Sequence, residues 1–255
     1  MPVGDVTGVY VQYNDHPTYQ NESVMTMHTR RSALAVGASA LIGSTAGCTA
    51  RIPFIGDDPL TFEAIAATVP DPVLEDTGYE AGPVTDVVVE ETVEAGGQSQ
   101  DVVVTNYQAE FEKSVDLEDV GLTGGGGQEA AVFTVLTTPQ VDVLGRAFNP
   151  LADKSSAELA AMVQDHYEGV DDLDHVDEES GTVAGESTTV GELEGEATLA
   201  DEAVGVELTM HVAEAVEVGG DLIVTVGGYP TELQADERAD VFAMMESVEH
   251  PGADG

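Results

Sequence analysis

The chain has 255 residues, 49 Asp and Glu against 7 Lys and Arg, a formal net charge of −42 and 42% hydrophobic residues. So few cations exclude nucleic acid as a partner, because duplex binding needs clustered Arg or Lys to displace counterions, and they exclude electrostatic attraction to an anionic membrane. A single cysteine, Cys48, excludes a disulfide framework, a cysteine-based metal site and a thiol nucleophile in the folded body.

Positions 1–26 carry neither strand nor helix pattern. They read as a misassigned start, with Met25 or Met27 as the initiator, or as an extended n-region. Positions 27–47 read as an export signal. Thr29-Arg30-Arg31-Ser32-Ala33-Leu34 resembles the twin-arginine motif, and the uncharged segment that follows is too short to span a bilayer. Gly37, Ser39, Gly43 and Ser44 also make it a poor interior for a buried helix. Thr45-Ala46-Gly47-Cys48 resembles a lipobox, in which the Cys becomes the lipidated first residue. Cys48 is therefore the expected lipid attachment and Arg30 and Arg31 the export determinants. The expected localisation is the cell membrane, lipid-anchored on its extracytoplasmic face. Two acyl chains give stable attachment where one gives only marginal binding.

Positions 48–59 form a tether, at most about 40 Å long when extended, and 60–250 a single domain followed by a tail at 251–255. The chain's two lysines are Lys113 and Lys154. A body this acidic repels itself in dilute solution, yet its apolar residues are periodic, so the charge must be tolerated by solvent. Molar salt does that, since the Debye length shrinks to roughly 3 Å at 1 M. The composition is that of an extreme halophile's protein.

A short helix is expected at 61–68. Strands are expected at 84–93 and 101–112, where Thr105, Tyr107, Ala109 and Phe111 alternate with Asn106, Gln108 and Glu110. Further strands are expected at 130–138, 182–198, 204–217 and 221–228. Gly96-Gly97 and Gly219-Gly220 each join two of these runs as a hairpin. Gly124 to Gly127 reads as a flexible loop, because no Lys-Ser or Lys-Thr pair follows it as a phosphate loop requires. Ser155-Ser156-Ala157-Glu158 is a capping box opening a helix with Leu159, Met162, Val163, His166 and Tyr167 on its buried face. A second helix opens at another box, Thr231-Glu232-Leu233-Gln234, and runs through Val241, Phe242, Met245 and Val248. The expected fold is α+β, an antiparallel β-sheet with two main helices packed on it.

Resemblance adds to this reading. Thr105-Asn106-Tyr107-Gln108-Ala109-Glu110, Pro150-Leu151-Ala152-Asp153-Lys154-Ser155, Val226-Gly227-Gly228-Tyr229-Pro230 and Met245-Glu246-Ser247-Val248-Glu249-His250 resemble a haloarchaeal family of twin-arginine-exported lipoproteins, a domain of unknown function with no assigned activity to carry over. The element order is similar to that of the PsbP-like α/β/α sandwiches, extrinsic and often lipid-anchored proteins that bind partners. That likeness is one of fold and does not fix an activity.

Candidates for chemistry are few. The run 171–179, with Asp171, Asp172, Asp174, Asp177, Glu178 and Glu179, is dense in carboxylates but lacks the Gly and Glu registers of a calcium loop, and reads as solvated surface. His166 reads as a packed core histidine. His211 reads as pointing from the polar side of its strand, where proximity to Asn106, Gln108 and Glu110 would make a polar groove. His250 reads as a cap at the end of the last helix. No nucleophile elbow, zinc helix motif or dinucleotide fingerprint occurs in the mature chain. No catalytic, cofactor-binding or metal residue is therefore assigned, and no cofactor is expected. The expected function is a non-enzymatic binding or accessory role at the cell surface, toward an unknown protein or small solute. An extracytoplasmic hydrolase using carboxylates, or a structural envelope component, is the alternative.

Overall fold

The computed structural model describes residues 58–95, 98–116, 127–143, 146–147, 151–166, 170–199 and 204–253, all within the unit Arg51–Gly255. Arg30, Arg31, Cys48 and most of the tether lie outside the described residues. The described chain is mostly a mixed β-sheet with three helices. In order it runs β1 (Leu60–Glu63), α1 (Asp71–Thr77), β2 (Glu80–Ala95), β3 (Gln98–Asp116), β4 (Gly127–Pro139), β5 (Asp142–Val143), β6 (Arg146–Ala147) and α2 (Ser156–His166). There follow β7 (Val170–Val183), β8 (Glu186–Leu199), β9 (Val204–Ala213), β10 (Val216–Val218), β11 (Asp221–Pro230), a 3₁₀ turn (Thr231–Leu233) and α3 (Gln234–Glu246).

Two antiparallel blocks, β2-β3-β4 and β7-β8-β9, meet on β11, which pairs with β4 along one edge and with β9 and then β10 along the other. β2 and β7 remain as edges, so the sheet is open, not a closed barrel. β5 and β6 pair only with each other. The expectation of a purely antiparallel sheet is corrected at one place. β1 runs parallel to β3, Leu60 opposite Val102, because the chain leaves β1, turns through α1 and enters β2 on the other side of β3.

Both double-glycine hairpins occur where expected. β2 and β3 pair from Ala95 opposite Gln98 down to Glu80 opposite Glu112. Gly219 and Gly220 turn between β10 and β11 at φ +62° and +97°, the left-handed region that glycine enters at no steric cost. The run 182–198 is not one strand. Ala184 and Gly185 turn at φ +51° and +84°, and the strand ahead of that turn is the acidic run 171–179 within β7. β7 is an edge strand whose carboxylates face solvent, and its register slips between Asp171 and Asp174 and again between His175 and Asp177. Charge and irregularity of this kind keep an edge from pairing with a foreign strand.

The helix expected at 61–68 is a correction. Leu60–Glu63 is strand, and the next backbone donors are taken from outside: Ala64 N–H by Thr105 O, Ile65 N–H by Asp221 Oδ2, Ala67 N–H by Thr137 Oγ1 and Thr68 N–H by Glu249 O. The helix begins instead at Asp71, next to two prolines, and stops at Gly78 in the left-handed conformation. The box opening α2 forms as expected, with Ser155 N–H donating to Glu158 Oε2 at 3.1 Å and Glu158 N–H to Ser155 Oγ at 3.3 Å. Among its described side chains Ser156, Leu159 and Ala160 are buried, Leu159 as expected, but Met162 is exposed, and the Val163, His166 and Tyr167 side chains lie outside the described residues. The box expected at Thr231 does not form. Thr231 Oγ1 bonds Thr209 Oγ1 at 2.9 Å, and the first turn is 3₁₀.

Strand alternation divides the core. Ile223 and Tyr229 of β11 join Phe111, Ala131, Phe133, Val135 and Val190 in one cluster with Leu74 of α1 and Val241, Met244 and Met245 of α3. Val224 of β11 joins Leu208, Met210, Val212 and Leu193 in another with Leu159 and Ala160 of α2. A third, smaller cluster of Val93, Val102 and Val141 lies under Leu60 and Phe62.

Candidate functional site

The buried polar groups come first, since desolvation makes each of them costly unless paired. His211 is fully buried in β9, and its Nε2 lies 2.7 Å from Tyr229 Oη. The Phe242 ring stands edge-on to it at 5.3 Å. Burial, helped by the Arg238 charge, pushes the imidazole down to about 4, so it is neutral near pH 7. Burial raises the Tyr229 phenol. The polar-groove expectation for His211 is thereby corrected. His211 stands opposite Gly227, which stands opposite Phe133 and so shares a face with Phe111. Gln108 and Glu110 share the other face with Leu136 and Thr134. The sequence reading failed because both faces of β9 are buried from Leu208 to Ala213.

His250 is also corrected. α3 ends at Glu246, and the His250 side chain reaches Asp221 rather than the helix end. Gly252 N–H donates to Nδ1 at 3.1 Å, which leaves the proton on Nε2, donated to Asp221 Oδ2 at 3.0 Å. The same carboxylate oxygen accepts Ile65 N–H at 2.8 Å. Both imidazole nitrogens are therefore occupied. The pair fastens the segment after β1 and the start of β11 to the chain end. The His166 side chain lies outside the described residues.

Beneath α3, Lys113 Nζ reaches Glu237 at 2.6 Å and Asp240 at 3.0 Å, and Tyr79 Oη donates to Glu237 at 3.2 Å. Partial burial works against the Lys113 charge, but the two carboxylates outweigh it and its pKa is raised. Arg238 pairs with Glu179 and Glu192 and lies over the Phe242 ring at 4.8 Å. Through Glu179, part of the acidic run becomes a fastening for α3. His175 Nε2 lies 3.3 Å from Glu178. Among the described residues, no three His, Cys, Asp or Glu side chains gather as a metal ion would need.

A groove of about 610 Å³, open to solvent, lies at the start of α2. One wall is the turn into α2, with Asp153, Lys154, Ser155 and Glu158. The other is the start of β8, with Ser187, Thr188 and Thr189 beside Ser180 of β7, and the break between β9 and β10 at Glu214 and Ala215. That break is pinned from both sides: Glu214 N–H donates to Thr189 O, and Thr188 Oγ1 donates to Glu214 O, each at 2.9 Å. The Glu158 carboxyl lies below its ordinary range, held by the Ser155 amide and hydroxyl, with Lys154 adding to the effect. A second open hollow, about 550 Å³, is lined by Glu63 to Ala66 and Tyr107, whose hydroxyl donates to Glu63 at 2.7 Å. Sequence reasoning singled out Lys154 as a rarity but did not place it in a groove, since the walls come from segments far apart in the chain.

The fold and this groove define a protein built mostly of an open, mixed β-sheet with three helices and a polar, hydroxyl-rich concavity. The chain belongs to the family described as a domain of unknown function (DUF6517), whose model matches residues 66–249. No curated protein and no solved structure matches it.

Proposed function

We propose that the protein is an extracytoplasmic, lipid-anchored binding or accessory protein of an extreme halophile, exported through Arg30 and Arg31 and moored at Cys48. The address in 27–48 and the −42 charge support its place and solvent. The observation that carries the binding role is the open groove between the start of α2 and the β7–β8 turn. In the described residues His250 uses both ring nitrogens on structural partners and His211 uses Nε2 on Tyr229, closed off from solvent, whereas this groove presents an ammonium, carboxylates and hydroxyls to solvent. Such a surface suits recognition of a polar solute or a partner's polar segment. The likeness in element order to PsbP-like sandwiches, with helices layered on the sheet, agrees with this role; separate clusters around α3 and α2 support it. Among the described residues no helix is long and apolar enough to cross a membrane, so anchorage in this reading rests on the lipid. Cys48→Ser is expected to release the protein into the medium, read by fractionation of cells and supernatant. Retention on the cells would overturn the anchor.

A further inference from the structure

The groove's chemistry narrows its ligand, and the inference rests on the binding role proposed above. The chain's two lysines have different situations. Lys113 is committed to Glu237 and Asp240. Lys154 lines the groove and makes no ion pair with the described residues. Arg238, the other cation with a described side-chain setting, is committed to Glu179 and Glu192. Glu158, the neighbour of Lys154, whose charge helps hold it below the ordinary carboxylate range, is already hydrogen-bonded to Ser155, so the ammonium has capacity left for a ligand's negative charge.

The same groove carries the opposite sign. Glu214 lines it from a backbone fixed at both its N–H and its C=O, and Asp153 lines it from the turn into α2. Ser187 and Thr189 add hydroxyls, which donate to a carboxylate or accept from an ammonium, whereas the Ser155 hydroxyl is taken up by Glu158. Each simpler ligand class leaves something unmatched. A phosphate or other polyanion would face the carboxylates. A bare metal ion would face Lys154. A quaternary ammonium or a stacked sugar wants an aromatic wall, and none of the described residues lining the groove is aromatic. A molecule carrying both charges leaves neither sign unmatched. In molar salt, fields beyond roughly 3 Å are screened, so recognition falls to direct contacts of this kind rather than to steering. A volume of about 610 Å³ lies in the range of small-molecule sites, about 300–1,000 Å³.

We propose that this groove binds a small zwitterion of the amino-acid type, its carboxylate on Lys154 and the neighbouring hydroxyls and its primary ammonium on Glu214. The test is equilibrium dialysis of the intact protein, extracted from salt-preserved membranes, against radiolabelled alanine in molar KCl. Saturable binding is expected, undisplaced by equal concentrations of ethylamine, acetate, glycerol or trimethylglycine. Lys154→Gln and Glu214→Gln should each weaken it at least about tenfold. Lys154→Arg should keep it within a few-fold, and Glu207→Gln, exposed on β9, should leave it unchanged. Thermal melts of each variant in the same buffer confirm folding. Absence of saturable binding, indifference to both Gln substitutions, or equal displacement by glycerol would overturn the assignment. If it fails while Cys48→Ser still leaves the cell, this ligand falls and the anchored-protein reading stands.

Discussion

His211 shows what a single side chain does to the pH response of this body. In the unfolded chain it takes a proton near its ordinary value of 6.5, whereas in the fold it stays neutral until about 4. Between those values the unfolded state holds more protons, so stability falls as pH falls through this window, by roughly 3 kcal/mol over its width. His211→Gln keeps a polar partner for Tyr229 and removes the titration. Thermal melts between pH 7 and 4.5 are expected to show a shallower loss in the variant than in the parent, and equal slopes would refute the assignment. The residue type alone did not disclose this role. A histidine in an alternating strand reads as lying on the polar side, and only the cover of α3 with Phe242, together with Tyr229 from the neighbouring strand, makes its place interior. Asp221 and His250 were equally hidden, since the partners that occupy them are the amides of Ile65 and Gly252.

At the level of elements, one tight seam is between β11 and α3. A Cβ on Gly227 would stand 2.5 Å from Val241 Cγ1, so the helix rests on bare backbone there. Gly227→Ala is expected to cost about 1–3 kcal/mol by forcing α3 outward. Gly205→Ala, where a Cβ meets nothing within 4 Å, should change stability by less than about 0.5 kcal/mol. Denaturant midpoints of the two variants make the comparison, and an equal effect would remove the seam from the account. Elements with a local signal were legible in the sequence: the two double-glycine hairpins, the alternation in β3 and β9, and the Ser155–Glu158 box. Where the deciding partners were distant, they were not. Ile65, Ala66 and Ala67 have a helical look, but Thr105, Asp221 and Thr137 take the donors around them. β7 was hidden by its carboxylates, which mark a solvated edge as readily as a loop. The groove could not be read at all, because Lys154, Thr189 and Glu214 are brought together only by the β7–β8–β9 pairing and the turn into α2.

Across the whole molecule, the proposed halophilic reading makes charge the condition on which the fold depends. With 49 acidic residues against 7 basic ones, dilution removes the screening that lets the carboxylates lie side by side. The melting temperature is expected to climb with KCl, and the sheet's circular dichroism should be lost on dialysis to low ionic strength. A melting temperature indifferent to KCl would contradict the halophilic reading. The order in which the polypeptide is made has its own consequence. Among the described residues β11 is the one strand that pairs with both antiparallel blocks, yet it is the last strand in sequence. Throughout translation of the intervening segments, the free flank of β4 has no native neighbour. The nascent chain then carries an unpaired strand flank that is open to mispairing with another copy.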